Sequence, residues 1–233
     1  MLSIARHTNL LRYKIEMKER LEFASSEEKL MNFRERLLGK TLVYKTFKSF
    51  VAPPKLVQKT IEEFLHVPNG ASVLDLGCGY GDIATYYAGR CSYLGIDSNE
   101  SYIENARKRN SKNDAQFIIA DISDPEVLQR GPYDLVLLTG VLHHLPNEHV
   151  LNIVSAAMDL VGSSGRFVAI EPVFSPDQRL TARLIIASDR GRYVRDIDGY
   201  TSLLSRGFRN VKGQVVHGRL RVPYSHAVLT CTN

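Results

Sequence analysis

The chain has 233 residues, 44% hydrophobic and 24% charged, with three cysteines and a formal net charge of +5. These values fit one globular domain with a small appendage and exclude wholesale disorder, a collagen-like repeat and a disulfide-stapled miniprotein. No apolar run reaches the roughly 18 to 20 residues of a membrane span, and Arg6 and His7 stand where a signal peptide needs its apolar stretch, so a soluble, cytoplasmic protein is expected. Cys78, Cys91 and Cys231 are odd in number, widely spaced and outside any CxxC pair, so neither a zinc site nor a disulfide framework is indicated.

Charge is unevenly spread. Residues 1–40 carry nine Lys/Arg against six Glu, residues 41–177 eleven against sixteen acids, and residues 178–233 ten against three. The excess therefore sits in the last quarter, where an anionic ligand is as good a reading as nucleic acid.

Leu10, Leu11, Ile15, Met17 and Leu21, then Leu30, Phe33, Leu37 and Leu38, recur at three- and four-residue spacing and predict helices over the first fifty residues. Pro53-Pro54 opens another helix, with Leu56, Val57, Ile61, Phe64 and Leu65 on one face, ending before Pro68-Asn69-Gly70. From Ala71 short apolar runs alternate with helical stretches. Strands are predicted at Ser72–Leu76, Ser92–Ile96, Gln116–Ala120, Tyr133–Thr139 and Arg166–Glu171, with helices at about 82–88, 99–110 and 147–161. Such alternation gives a parallel α/β sheet covered on both faces, doubly wound because crossovers are right-handed. The alternation lapses over 172–196, a long connection of the kind that carries function. A short helix at 199–205 and two strands, Val211–His217 and His226–Thr232, close the chain as an antiparallel pair.

The segment Val73-Leu-Asp-Leu-Gly-Cys-Gly-Tyr-Gly-Asp82 runs a strand through glycines into a helix. Gly77, Gly79 and Gly81 let the backbone turn tightly and approach a ligand where a Cβ would collide. Asp97, ending the next strand and followed by Ser98, is placed to accept from ribose hydroxyls. A diphosphate would rest on bare helix amides, but here the spacing is GxGxG and the carboxylates of Asp75 and Asp82 flank the loop. They suit a phosphate-free cation bearing a sulfonium and an amino group, which describes S-adenosylmethionine. Asp121 can take an adenine amino group beside an apolar wall from Ile122. Cys78 reads as a small residue among glycines, with no neighbour to make it a nucleophile.

With Gly95-Ile-Asp97, Ala120-Asp121-Ile122, Tyr133-Asp-Leu-Val136 and Gly140-Val-Leu-His-His-Leu145, this loop resembles the core of the class I S-adenosylmethionine-dependent methyltransferases over residues 71–171. The resemblance implies a seven-stranded, mostly parallel sheet of order 3-2-1-4-5-7-6 with the last strand antiparallel. Residues 53–233 would form the Rossmann-like domain, 172–198 a substrate-side insertion, and 1–52 the helical lid that small-molecule methyltransferases place over the acceptor. It also implies that Asp75, Gly77, Cys78, Gly79 and Gly81 hold the methionine part, Asp97 and Ser98 the ribose, and Asp121 and Ile122 the adenine. Thr139 and Gly140 would line the floor near the sulfonium.

Methyl transfer is an in-line displacement, and a base is needed only for a hydroxyl or protonated amine. His143 and His144 follow the fourth strand as candidate bases, of which adjacent residues can turn only one into the cavity; Glu171 is the next candidate. Amino-group methyltransferases of nucleic acids resemble one another in an Asn/Asp-Pro-Pro-aromatic segment where this chain has Thr139-Gly-Val-Leu142, and no Pro-Cys pair serves pyrimidine chemistry, so nucleic acid is disfavoured. Asp189-Arg-Gly-Arg-Tyr-Val-Arg195 and Arg219-Leu-Arg-Val-Pro-Tyr-Ser-His226 resemble segments of a group of bacterial small-molecule methyltransferases. Arg190, Arg192, Arg195, Arg219 and Arg221, with Tyr224, are candidates to bind an acidic acceptor through the guanidinium fork, or else form a solvated surface. The expectation is methylation of oxygen or nitrogen on a small anionic molecule. The alternatives are an RNA or protein methyltransferase and a non-catalytic S-adenosylmethionine-binding protein.

Overall fold

Apolar runs that lack a helical period form strands in the computed structural model, which describes residues 52–233 apart from 123, 125, 126, 128, 129, 189 and 190. The strands are β1 (Ser72–Leu76), β2 (Ser92–Asp97), β3 (Gln116–Ile119), β4 (Tyr133–Thr139), β5 (Val161–Phe174), β6 (Arg195–Asp196), β7 (Asn210–His217) and β8 (Ser225–Thr232). The helices are α1 (Pro54–Phe64), α2 (Ala84–Tyr87), α3 (Glu100–Arg109), α4 (Asn147–Leu160), α5 (Leu180–Ala187) and α6 (Ile197–Leu204), with a 3₁₀ turn at Leu142–His144. The helices and lid expected before residue 52, and Arg190, lie outside the described residues.

Local chemistry sets the helix starts. Pro54 opens α1, where a first-turn N–H would have no helical partner. Asn99 caps α3 by accepting from the Tyr102 amide at 3.1 Å, and Asp196 caps α6 by accepting from the Gly199 amide at 2.8 Å.

The sheet runs β3-β2-β1-β4-β5-β8-β7, with two-residue β6 added to the far end of β5. Strands β1 to β5 pair in parallel, and β8 is antiparallel to both its neighbours. Setting β6 aside, this is the order the family resemblance implies. Alternate residues of each strand enter opposite cores: Leu74, Val136, Phe167 and Leu229 pack with α4 and α6, whereas Val73, Leu135, Val168 and Val228 pack with α1, α2 and α3. Burial on both faces explains why these strands are apolar at successive positions.

The connection after β5 is more ordered than its sequence suggests. Leu180-Thr-Ala-Arg-Leu-Ile-Ile-Ala187 is apolar at most positions and so shows no helical period, yet it forms α5, burying Ala182 and Ile186 and exposing Leu180 and Leu184. No helix among the described residues is long and apolar enough to cross a membrane.

Candidate active site

The carboxyl ends of β1, β2, β3 and β4 lie along one edge of the sheet, so Gly77, Asp97, Asp121 and Thr139 converge there. Between β1 and α2 the chain passes through left-handed conformations at Gly77 (φ 72°), Gly79 (φ 54°) and Gly81 (φ 66°). A Cβ on Gly77 would stand 2.8 Å from Val141 Cγ2, and one on Gly81 2.7 Å from the Phe117 ring, whereas beside Gly79 there is open space. The first and last glycines are therefore demanded by packing, and the middle one leaves bare backbone that a ligand can approach.

Asp97 fastens this loop to the end of β2: Oδ2 accepts from the Gly79 amide at 3.0 Å and Oδ1 from the Asn99 amide at 2.9 Å. A carboxylate with one bond at each oxygen retains acceptor capacity for hydroxyl groups. Ser98 and Asp121 are exposed and Ile122 is half-buried. Buried Asn110, the C-cap of α3, donates to the Gly81 carbonyl at 3.2 Å and holds the loop's far end.

Three further residues of the motif make contacts within the protein. Asp75 is only 1% exposed and accepts a 2.5 Å hydrogen bond from the Tyr93 hydroxyl, so it braces the loop from within the core. Burial, then the Asp75 charge, pushes the Tyr93 phenol well up. Cys78 lays its thiol against Gly95, where a Cβ would meet Sγ at 2.9 Å. Burial, with the charges of Asp75 and Asp97, raises that thiol far above its ordinary range. Asp82 forms an ion pair with Arg109 at the end of α3.

Beyond β4, Gly140 turns the chain at φ 69° and donates to the Ile170 carbonyl at 2.9 Å. The 3₁₀ turn that follows is organised by Glu171 of β5, which is completely buried. Its Oε1 accepts from the amides of Val141 and Leu142, each at 2.9 Å, and its Oε2 from the His143 amide at 3.3 Å, while His143 Nδ1 lies 2.6 Å from Oε2. A carboxylate that serves four donors at once fixes the imidazole proton on Nδ1 and leaves the lone pair on Nε2. His143 is buried and His144 exposed, so the structure separates the adjacent pair. On the other side of the turn the Tyr193 amide donates to the His143 carbonyl at 2.9 Å, and Gly191 lies so close that a Cβ would collide with the imidazole.

The structure places the candidate arginines against different elements. Arg195 bonds the carbonyls of Leu142, Tyr193 and Leu145 and the Asn147 side chain. Arg219 pairs with Glu63 of α1 at 2.6 Å and lies over the Phe64 ring. Arg192 and Arg221 are exposed, and Tyr224 packs its ring 4.9 Å from that of His226. Tyr93, Asn110, Gly191 and Tyr193 were not legible as site-shaping residues; of these only Asn110, at a helix end, carried a local signal. Ser225, His217 and Asp177 also form a hydroxyl–imidazole–carboxylate row, but Ser225 is fully buried, so the row ties β7 and β8 to the β5–α5 loop and offers no nucleophile.

Residues 73–165 match the family model described as a methyltransferase domain. That match and the strand order together support a class I S-adenosylmethionine-dependent methyltransferase domain. Over 95 residues this domain is 30% identical to the (S)-coclaurine N-methyltransferase of Papaver somniferum, covering 38% of this chain and 26% of that protein. Over 73 residues it is 38% identical to the ribosomal protein L11 methyltransferase of Neisseria gonorrhoeae (strain ATCC 700825 / FA 1090), covering 30% and 23% of the two chains. The chain thus spans about a quarter of the length of the curated relatives it matches. Among solved structures, the magnesium protoporphyrin IX methyltransferase of Synechocystis PCC 6803 with bound SAM shares the methyltransferase fold at 20% identity and a TM-score of 0.54, covering 78% of each chain. The mitomycin 7-O-methyltransferase does so at 13% identity and a TM-score of 0.62, covering 85% of this chain and 60% of that one.

Proposed function

We propose that the protein binds S-adenosylmethionine in the glycine-loop cradle and methylates an oxygen or nitrogen of a small, anionic acceptor. The observation that carries this reading is the convergence, on one sheet edge, of bare backbone at Gly79, the Asp97 carboxylate and the Glu171-bound imidazole of His143. The residues fit the cofactor: the open space beside Gly79 is a cradle that a side chain would fill, and Asp97 and Asp121 offer acceptors to hydroxyl and amino groups. Ile122, Thr139 and Gly140 complete the walls in this reading.

The bound sulfonium supplies an electrophilic methyl group, whose transfer breaks the carbon–sulfur bond and leaves its electron pair on sulfur. His143 takes the acceptor's proton at Nε2, and Glu171, already bonded at Nδ1, stabilises the imidazolium that forms. A base so placed contributes about 10²- to 10⁴-fold in rate. Cys78, held protonated by burial, does not compete as a nucleophile. The acceptor's negative charge is supported by the cationic excess of residues 178–233, in which Arg192 and Arg221 are exposed. A second reading, methylation of a protein, is favoured by the match to the ribosomal protein L11 methyltransferase.

Two experiments test this reading. Calorimetry should show binding of S-adenosylmethionine and S-adenosylhomocysteine but not NAD, with Asp97→Ala costing about 1.5 to 3 kcal/mol, the range for a charged acceptor; tight NAD binding overturns it. Methyl-labelled S-adenosylmethionine incubated with the protein and cell extract should label the small-molecule fraction. Label in protein supports the second reading, and label nowhere supports a non-catalytic binding protein.

A further inference from the structure

The guanidinium of Arg195 has five N–H donors, and the structure uses all of them. Nε donates to Asn147 Oδ1 at 3.1 Å; Nη1 to the carbonyls of Leu142 at 3.0 Å and Tyr193 at 2.9 Å; Nη2 to the Leu145 carbonyl at 2.8 Å and Asn147 Oδ1 at 2.7 Å. None is left to grip an anionic acceptor. What these bonds do hold is the segment that carries His143, together with the first residue of α4. Arg195 stands on β6, which pairs with β5 through Val173, two residues beyond Glu171. The same 3₁₀ turn is thus held from both polarities: its amides at 141, 142 and 143 by a buried carboxylate, its carbonyls at 142 and 145 by a guanidinium, and the carbonyl of 143 by the Tyr193 amide.

We infer that Arg195 is a positioning residue which, opposite Glu171, fixes the orientation and tautomer of the His143 imidazole; this rests on the reading of His143 as the base. A 3₁₀ turn exposes poorly aligned amides and carbonyls and is too short to define one geometry by itself. Glu171 alone grips only the amide side and leaves the turn free to tilt about the carboxylate. Arg195 removes that freedom, and the planar fork matters because its two amino groups reach carbonyls three residues apart. A Lys ammonium, a compact point charge with three donors, cannot span the same acceptors. Gly191 completes the arrangement by letting the connection close against the ring without a Cβ. The long segment after β5 therefore sets the base, in addition to any part it has in acceptor binding.

Nuclear magnetic resonance of the full chain tests this without an acceptor. In the unaltered protein the Arg195 guanidinium should show separate, slowly exchanging Nη protons, and His143 should be the Nδ1–H tautomer. Arg195→Lys and Arg195→Met should each raise amide exchange at Val141, Leu142 and His143 by about tenfold, the loss expected for one to two hydrogen bonds, while Leu74 in β1 keeps its protection. Both should also mix the His143 tautomers. Freely rotating Nη groups in the unaltered protein, or an unchanged tautomer and amide protection in Arg195→Lys, would overturn the inference even if Arg195→Met fails to fold. Failure of the unaltered protein to bind S-adenosylmethionine sinks the methyltransferase reading and leaves these readouts standing.

Discussion

The two halves of the site are built by different means. On the cofactor side, a ligand-facing surface is made from backbone: three left-handed glycines within five residues, and carboxylates at the ends of adjacent strands. On the side proposed to take the acceptor, the His143 imidazole and its turn are held by side chains from far along the chain, Glu171 reaching back 28 residues to His143 and Arg195 reaching 53 residues to Leu142. Local construction tolerates no substitution at the glycines that meet packed side chains. Long-range construction depends on a few buried charged groups whose removal strands several partners at once.

The largest expected effect lies on the acceptor side. Glu171→Ala would leave three amides, two of them buried, and a buried imidazole without their acceptor, and the loss of one partner from a buried charged network costs about 3 to 5 kcal/mol. Urea denaturation of the variant should show that loss. A change below 1 kcal/mol would mean that water enters and replaces the carboxylate, and the contrast between the halves would then disappear.

This difference in construction also explains what could be read in advance. The strands from β1 to β4 begin and end within a residue of their expected bounds, because each is a short, mostly apolar run set between helical stretches. The glycine loop was equally legible, since Gly77, Gly79, Gly81 and Asp97 act through backbone geometry and chain position. Sequence periodicity carries no trace of Arg195 reaching across to Leu142, of Tyr93 under Asp75, or of which histidine turns inward. Helix α5 escaped for another reason: Leu184, Ile185 and Ile186 sit on successive faces, so the segment has no polar side to mark its period. The arginines misled in one respect, because charge pattern counts cations without showing that the donors of Arg195 are already spent on the protein.

The cofactor half can be divided by two alanines. Gly81→Ala combines a left-handed φ with a Cβ 2.7 Å from the Phe117 ring and should destabilise the fold by about 2 to 5 kcal/mol, from roughly 1 to 2 for the conformation and 1 to 3 for overpacking. Gly79→Ala carries only the conformational part, about 1 to 2 kcal/mol, but puts a methyl group into the cradle. It should therefore keep its fold by thermal melting and lose S-adenosylmethionine binding by calorimetry. Equal binding by Gly79→Ala and the unaltered protein would show that the open space beside this glycine is not where the cofactor lies.

Acid sensitivity gives a smaller effect on the acceptor side. His226, the second residue of β8, lies beside Pro172, and its buried Nδ1 has no hydrogen-bond partner among the described residues. Burial, helped by the Arg219 charge, lowers its pKa from 6.5 to about 4. The folded state thus binds fewer protons than the unfolded chain between these values. Stability contributed by the neutral ring is fully present above pH 6.5 and is lost as pH falls toward 4, by about 3 kcal/mol in all. His226→Leu should flatten the denaturation midpoint across that window, and a slope identical to that of the unaltered protein would place the acid response elsewhere.

The smallest expected effect separates structural from acceptor-binding arginine. Arg219 pairs with Glu63, whose side chain is 44% exposed, so solvent screens the bond and Arg219→Lys should change stability by less than about 1 kcal/mol. The stacking of the guanidinium over Phe64 is lost in the same substitution and adds at most about 1 kcal/mol for a site open to water. A near-silent variant in denaturation leaves acceptor turnover as the informative measurement. If Arg219 serves only to fasten its loop to α1, Lys should leave both kcat and the acceptor KM as they were. A raised KM with kcat unchanged would show that the fork shared with Glu63 also holds the acceptor in ground and transition state alike. That result would move the acceptor's anionic group to the α1 side of the sheet, away from Arg195, whose donors the His143 turn already occupies.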